Sequence, residues 1–315
     1  MPDELAGKRF DQIAAKLFAE FSRGQLQNWI ESGALRVDGG SAKPRQKLFA
    51  GAHLTLQADF APSADWVAQA GPLDIIHEDE HLLVLNKAAD TVVHPAAGIA
   101  DNTLVNYVLH HAPTNAELPR GGIVHRLDRD TTGLMVVAKT LEAHHHLVTQ
   151  LQQRSVSRIY LAIASGQLVA GRSIDAAIGR HPTQRTKMAV VDATIHSGAK
   201  PAVTHLRIAQ RFAHFTELRV ELETGRTHQI RVHLAHIGHA ILGDAVYNPR
   251  YRRPAAINDA LDTQLRAFNR QALHATRLEL IHPASGEPCC WQVDPPADYC
   301  SIRDALAEYD PVAQI

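Results

Sequence analysis

The stretch Gly121-Gly122-Ile123-Val124-His125-Arg126-Leu127-Asp128-Arg129-Asp130-Thr131-Thr132-Gly133-Leu134-Met135-Val136-Val137-Ala138 reads as a charged loop that runs into a buried strand. From Leu134 onward it is an apolar run of strand length. The preceding residues crowd Arg126, Asp128, Arg129 and Asp130 together. A polar loop held by a rigid strand is where chemistry is often placed. Asp128 is the candidate carboxylate, a nucleophile or a base. Cations close by favour an ionised carboxylate, and Arg126 and Arg129 flank it in sequence. The plain alternative is a turn in which Asp128 caps local backbone amides.

Outward from this loop, the larger part of the chain reads as strands in runs with helices between them. Leu73 to Ile76 and Leu82 to Leu85 predict a hairpin. Thr103 to His110 predicts a helix, and Leu141 to Gln153 another with Leu147, Val148 and Leu151 inward. Ile159 to Ile163, Val203 to Ile208 and Phe215 to Leu222 predict strands, and Thr227 to His236 a helix. There is no strict βαβ alternation, so the expected class is α+β with a mixed, largely antiparallel sheet. Residues 248–272, rich in Arg, Pro, Asn and Asp, read as a long surface excursion.

Upstream, a smaller module is expected over residues 1–60. Phe10, Ile13, Ala14, Leu17 and Phe18 follow helical spacing. Ser22 and Gln25 form a capping-box pattern before a second helix, whose apolar face is Leu26, Trp29 and Ile30. Leu35 and Val37 begin a hairpin, and Asp38-Gly39 is its turn signal. Arg23, Lys43, Arg45 and Lys47 are available to line one side. Residues 61–71 read as a linker and 72–315 as the main domain.

The net charge of −1 argues against a nucleic-acid binder. The charge is uneven, however: residues 180–232 hold nine Lys/Arg against four Asp/Glu, and residues 120–160 hold six against three. Such a basic face suits phosphate. Cys289, Cys290 and Cys300 form neither a disulfide framework nor a CxxC, which suits a reducing, cytoplasmic setting. No apolar run is long enough to span a membrane, and no secretory signal is expected at the start. There is no GxGxxG, GxxxxGK[ST] or GxSxG, so nucleotide-dependent redox, P-loop and serine-hydrolase chemistry are unsupported.

A second charged stretch is Leu222-Glu223-Thr224-Gly225-Arg226-Thr227-His228-Gln229-Ile230-Arg231-Val232-His233. With a helix starting near Thr227, Arg231 lies one turn in, and its guanidinium is suited to a planar fork with a carboxylate. Arg226 and the helix N-terminal amides suit a phosphate equally well. In Arg158-Ile159-Tyr160-Leu161, the first and third residues share a strand face. Tyr160 is either a base-stacking ring in a site or a half-buried ring at a sheet edge. His228, His233, His236 and His239 invite a metal-hydrolase reading, but no HExxH glutamate or nearby cysteine completes a ligand set, and no metal is expected.

His125 to Gly133 and Gly225 to His233 together resemble the pseudouridine synthases that modify ribosomal RNA. The likeness runs from about residue 7 to 296. Asn86-Lys87, Val92-Val93-His94-Pro95-Ala96-Ala97-Gly98, the stretch His181 to Val190, Lys200 to His205, and Arg270-Gln271-Ala272-Leu273-His274-Ala275 carry it further. The last three are similar to the bacterial large-subunit (23S) members of type D. Residues around Ser22 to Leu26 and Val37 to Gly39 resemble an S4 RNA-binding domain. The resemblance implies Asp128 as the catalytic aspartate, Tyr160 as the active-site tyrosine and Arg231 as the arginine paired with the aspartate. It implies uridine isomerisation in 23S rRNA, within the helix 69 stem-loop, by an enzyme without cofactor or metal. RNA contacts are then expected from Arg23, Lys43, Arg45, Lys47, Arg126, Arg185, Lys187 and Arg226. The expected partner is 23S rRNA or a large-subunit precursor, and nothing demands more than a monomer. A non-catalytic RNA-binding or ribosome-assembly protein that kept the fold is the competing reading.

Overall fold

The computed structural model describes residues 2–18, 23–57, 66–95, 98–184, 187–196, 198–254 and 256–312, with the side chains of Asp3, Arg23 and Gln25 outside that description. The chain divides into two compact units, Met1–Ser63 and Ala64–Ile315.

The smaller unit contains helix α1 (Phe10–Leu17), helix α2 (Arg23–Ser32) and the strands β1 (Leu35–Val37) and β2 (Leu54–Leu56). The strands pair antiparallel, with Leu35 opposite Leu56. Phe10, Ile13 and Ala14 of α1 meet Leu26 and Ile30 of α2 and Leu35 in a shared core. Helical and strand periods therefore converge on one apolar cluster. Ser22, read as the cap of α2, and Arg23's side chain lie outside the described residues. Residues 58–60 of the expected small module and 61–65 of the expected linker do too. From Trp66 on, the chain is tied to the larger unit: Trp66 packs on its core, and Gln69 N–H donates to Asn106 O at 3.0 Å.

The larger unit begins with β3 (Ile75–Glu78) and β4 (Leu82–Lys87), then helix α3 (Leu104–His111), strand β5 (Thr132–Ala138) and helix α4 (Leu141–Gln153). Strands β6 (Ser157–Ser165), β7 (Arg172–Asp175), β8 (Ile178–Arg180), β9 (Met188–Val190), β10 (Val203–Arg211) and β11 (Phe215–Leu222) follow. The chain closes with α5 (Gln229–His236), α6 (Asp259–Ala267), β12 (Leu273–Ile281), β13 (Pro288–Gln292) and α7 (Ala297–Tyr309).

A nine-stranded sheet runs β3-β4-β5-β12-β6-β11-β10-β7, with β13 added on β12. Among the described strands only β12 and β5 pair parallel, through His274–Thr132 and Ala275–Gly133. The class is α+β with a largely antiparallel sheet. Both faces of β4 and β5 are covered. Leu83, Leu85, Met135 and Val137 pack with Val105 and Val108 of α3, whereas Leu82, Val84, Leu134 and Val136 pack with Ala143 and Leu147 of α4. Two-sided burial is the physical reason the run from Leu134 lacks polar alternation.

Three expectations are corrected. Residues 248–272 are not a surface excursion throughout: Ile257, Leu261 and Leu265 enter the main core, and α6 is capped by Asn258, which accepts from Leu261 N–H at 2.8 Å. Helix α5 starts at Gln229 rather than Thr227. His228 is left-handed (φ 56°), and the Gln229 side-chain oxygen accepts from Arg226 N–H at 3.0 Å and from Thr224 Oγ1 at 2.7 Å. Tyr160 is not at a sheet edge, because β6 lies between β12 and β11, with Tyr160 opposite Ala275 and Val220.

Candidate active site

The loop carrying Asp128 is clamped from below by two strands. Lys87, almost fully buried at the end of β4, donates to the carbonyls of Ala88 (2.7 Å), Thr91 (2.9 Å) and Arg129 (2.8 Å). Burial pushes its pKa down to about 7, against the pull of Asp130 and Asp128. Three carbonyl acceptors use every proton of the ammonium form, and this geometry assigns the charged state. From the β12 side, Gln271 donates to Thr131 Oγ1 at 3.1 Å, and His274 Nδ1 meets Thr132 Oγ1 at 2.8 Å. The other nitrogen of His274 faces only a carbonyl, that of Val293 at 3.3 Å, so Nε2 carries the proton and Nδ1 accepts. The stretches around Asn86-Lys87 and Arg270–Ala275 thus hold the loop.

Above the clamp, Asp128, Tyr160 and Arg231 line one cleft of about 560 Å³. Arg231 Nη1 donates to Asp128 Oδ2 at 2.9 Å. Its Nε and Nη2 form a two-bond fork with fully buried Asp244, at 2.7 and 2.9 Å. Burial disfavours the Arg231 cation, but the bonds and charge of Asp244, with Asp128, outweigh that and raise its pKa. The backbone N–H groups of Val246 and Tyr247 donate to Asp244 Oδ1 at 2.9 and 3.0 Å. Burial would raise the Asp244 pKa, but Arg231 and those amides hold it below the usual carboxylate range. The guanidinium is therefore fixed from behind before it reaches Asp128.

His228 adds a third contact layer. Its Nδ1 lies 2.9 Å from the Tyr247 hydroxyl, which accepts from Met188 N–H at 3.0 Å. The hydroxyl proton is then directed to His228 Nδ1, which leaves the imidazole proton on Nε2, 3.9 Å from Asp128 Oδ1. Burial lowers the His228 pKa, and the Asp128 charge opposes this. Tyr160 is buried at 6% exposure, and burial raises its phenol pKa.

The cleft wall also carries Arg126, which is exposed, and half-buried Arg226. Arg129 is not turned toward Asp128; it bonds exposed Asp90 instead. The arginine that bonds Asp128 is instead Arg231, which is distant in sequence. Lys187 is half-buried and does not line the cleft, and Arg185 lies outside the described residues. The histidines serve separate bonds: His233 meets Thr204 Oγ1 and Ala176 O, and His239 meets Ser165 O. Among the described residues, no three His, Cys, Asp or Glu side chains gather as a metal-ligand group.

Sequence reasoning missed Asp244, His228 and Tyr247. The available signal for Asp244 was a lone carboxylate inside Ala240-Ile241-Leu242-Gly243-Asp244-Ala245-Val246, since a buried acid in apolar surroundings needs a cationic partner.

The family model for RNA pseudouridylate synthase matches residues 81–236, which contain every one of the three central side chains. A protein of Pseudomonas aeruginosa named ribosomal large subunit pseudouridine synthase D is 56% identical over 308 residues, spanning 98% of this chain and 95% of that one. The chain belongs to the RNA pseudouridylate synthase family. This synthase is accordingly an isomerase. It is also 48% identical to proteins of the same name from Vibrio parahaemolyticus (96% of this chain, 92% of that one) and Escherichia coli O6:H1 (95% and 91%). Among solved structures, human RNA pseudouridylate synthase domain containing 1 aligns with a TM-score of 0.57 at 25% identity, over 78% of this chain and 90% of that one. The corresponding human domain containing 4 shares the fold, with a TM-score of 0.58 at 24% identity, over 74% and 93%.

Proposed function

We propose that this synthase isomerises uridines of large-subunit ribosomal RNA, those of the helix 69 stem-loop in 23S rRNA, with Asp128 as its catalytic carboxylate. The carrying observation is the asymmetric Asp128 carboxylate. One oxygen is held by Arg231 at 2.9 Å, and the other has no partner among the described residues closer than His228 at 3.9 Å, inside a cleft that also holds Tyr160. An oriented carboxylate with one unbonded oxygen is what attack on a nucleoside requires.

The reaction breaks C1′–N1 and forms C1′–C5 within one nucleotide; a proton leaves C5 and one is gained at N1. Atoms and electrons balance without an oxidant or reductant. The target base leaves its stack to reach the half-buried carboxylate, at a cost of a few kcal/mol that is smallest in a loop. Tyr160 offers a ring for stacking, worth about 1–3 kcal/mol. Six arginines against two carboxylates line the cleft, which gives a polyanion an attractive entry on a chain of net charge −1. Arg126 and Arg226 are assigned to RNA backbone contacts there. In the smaller unit, read as an S4-like RNA-binding domain, Lys43, Arg45 and Lys47 are exposed beside Phe49, a largely exposed aromatic. Alternating cations and a free ring suit single-stranded RNA.

The test incubates purified protein with large-subunit rRNA lacking pseudouridine and maps the product by carbodiimide-based primer extension, with Asp128→Asn alongside. Stops in the helix 69 loop that vanish in the variant support the full reading. Stops elsewhere retain the chemistry and remove the site. Stops that persist in the variant remove Asp128 from its role.

A further inference from the structure

Arg158 sits on the same face of β6 as Tyr160 and lines the same cleft. It is 7% exposed, yet its Nε has no hydrogen-bond partner, and no carboxylate among the described residues pairs with it. The nearby acids are committed elsewhere: Glu223 to Arg154 at 2.9 Å and to His205 at 2.8 Å, and Asp128 to Arg231. A buried cation left without a counter-charge is expensive, and folds rarely keep one without use.

A second unsatisfied donor stands in the same wall. His125 Nε2 accepts from Val136 N–H at 3.1 Å, which places the imidazole proton on Nδ1. That Nδ1 is buried and has no acceptor. The charge of Arg158 also reaches His125, where it adds to burial in holding the imidazole neutral. Gly225 keeps the space beside the guanidinium open, since a Cβ there would lie 2.7 Å from Arg158 Nη1.

The geometry points to Arg158 as the phosphate receptor of the site: it binds a phosphodiester flanking the target uridine, and His125 Nδ1–H donates to the same group. A uracil carbonyl would satisfy the hydrogen bonds but leave the charge uncompensated. A phosphodiester supplies both, and its two non-bridging oxygens match the guanidinium fork. The inference rests on the RNA-modifying reading of the cleft.

The test compares wild type with Arg158→Met and Arg158→Lys. Without RNA, removing an unpaired buried cation raises the Tm of Arg158→Met by about 2 °C or more. On rRNA, the same variant raises KM at least tenfold with kcat within threefold. The dependence of log kcat/KM on log salt becomes shallower by about one. Arg158→Lys recovers part of the KM. A methylphosphonate at one of the two phosphates flanking the target reproduces the KM loss in wild type and adds nothing in Arg158→Met. A lowered Tm with unchanged KM would mark a structural arginine and overturn the proposal. So would a loss confined to kcat, or no effect of either methylphosphonate on wild type, a result that does not depend on the variant folding. A wild type silent on ribosomal RNA removes the substrate reading alone, and the RNA-free Tm still decides Arg158.

Discussion

Arg231 and Asp244 form a buried fork of two hydrogen bonds, 2.7 and 2.9 Å, that leaves one guanidinium nitrogen to hold Asp128. On the proposed reading of Asp128, Asp244 acts through Arg231, as a positioning residue. Asp244→Asn keeps the shape but strips the counter-charge, and breaking one side of a buried pair costs about 3–5 kcal/mol. The expected result is a Tm lower by several degrees and a kcat lower by two orders of magnitude or more, with KM for RNA little changed. Arg231→Lys provides a point charge that cannot serve the fork and Asp128 together. It is expected to lose kcat to a similar extent. Single-turnover kinetics read both, and a variant with wild-type kcat would remove this role.

Acid sensitivity follows from histidines buried in neutral form. Burial, foremost, pushes His125 down to about 3 and His144 and His274 to about 4, against an unperturbed 6.5. Between those values the unfolded chain binds protons that the folded chain refuses. Stability is then fully present above pH 6.5 and falls as pH drops toward 4. Each histidine gives a slope of up to about 1.4 kcal/mol per pH unit. Urea unfolding of the larger unit between pH 7 and 4.5 is expected to show the decline starting near 6.5, ahead of carboxylate protonation. His144→Leu, which removes a buried imidazole with an unpartnered Nδ1, should flatten that slope by roughly one proton's worth. An unchanged slope would count against this origin.

The sequence made some of this legible for identifiable reasons. Helix Leu141–Gln153 and strand Phe215–Leu222 have the bounds expected from periodicity, because each presents one pattern to one environment. Asp128 was singled out by local charge density, whereas its structural partner Arg231 lies 103 residues away. Asp244 was missed because its meaning lies in a pairing across the fold. Arg129 misled for the converse reason: closeness in sequence placed it beside Asp128, while the turn sends its side chain to Asp90. Strands β12 and β13 went unassigned since β12 mixes buried His274 with half-buried Thr276 and Arg277, which blurs the alternation.

Gly133 marks the seam that sets the Asp128 loop. Its φ is 111°, and a Cβ there would lie 2.2 Å from the carbonyl oxygen and 2.6 Å from the nitrogen of Ala275, on the facing strand. Neither backbone can give way without opening the sole parallel pairing of the described sheet. Gly133→Ala is expected to cost about 3–5 kcal/mol, in the range of strained and overpacked core changes. Because Asp128 precedes this seam by one short turn, kcat should fall even at temperatures where the variant stays folded. Gly198→Ala, with nothing within 4 Å, serves as the neutral control. Thermal unfolding and single-turnover rates at 15 °C test the pair, and a Gly133→Ala protein as stable as the control would refute the steric argument.

The smaller unit offers a prediction that separates affinity from chemistry. Lys43, Arg45 and Lys47 are all exposed, while Leu48 between Lys47 and Phe49 is buried, so the segment presents its cations outward and anchors itself through one leucine. Each cation that meets a phosphate releases about 0.7–0.9 of a counter-ion. Replacing all three with alanine is therefore expected to make log kcat/KM about two units less steep against log salt. KM rises at low salt, and kcat at saturating RNA stays within threefold, since none of the three lines the Asp128 cleft. The unit's own core, built from Phe10, Ile13, Leu26 and Leu35, is untouched. Its unfolding midpoint should hold within a degree or two. A kcat that collapses in this variant while the fold persists would mean that the smaller unit takes part in the chemical step, and the division between binding and catalysis would have to be abandoned.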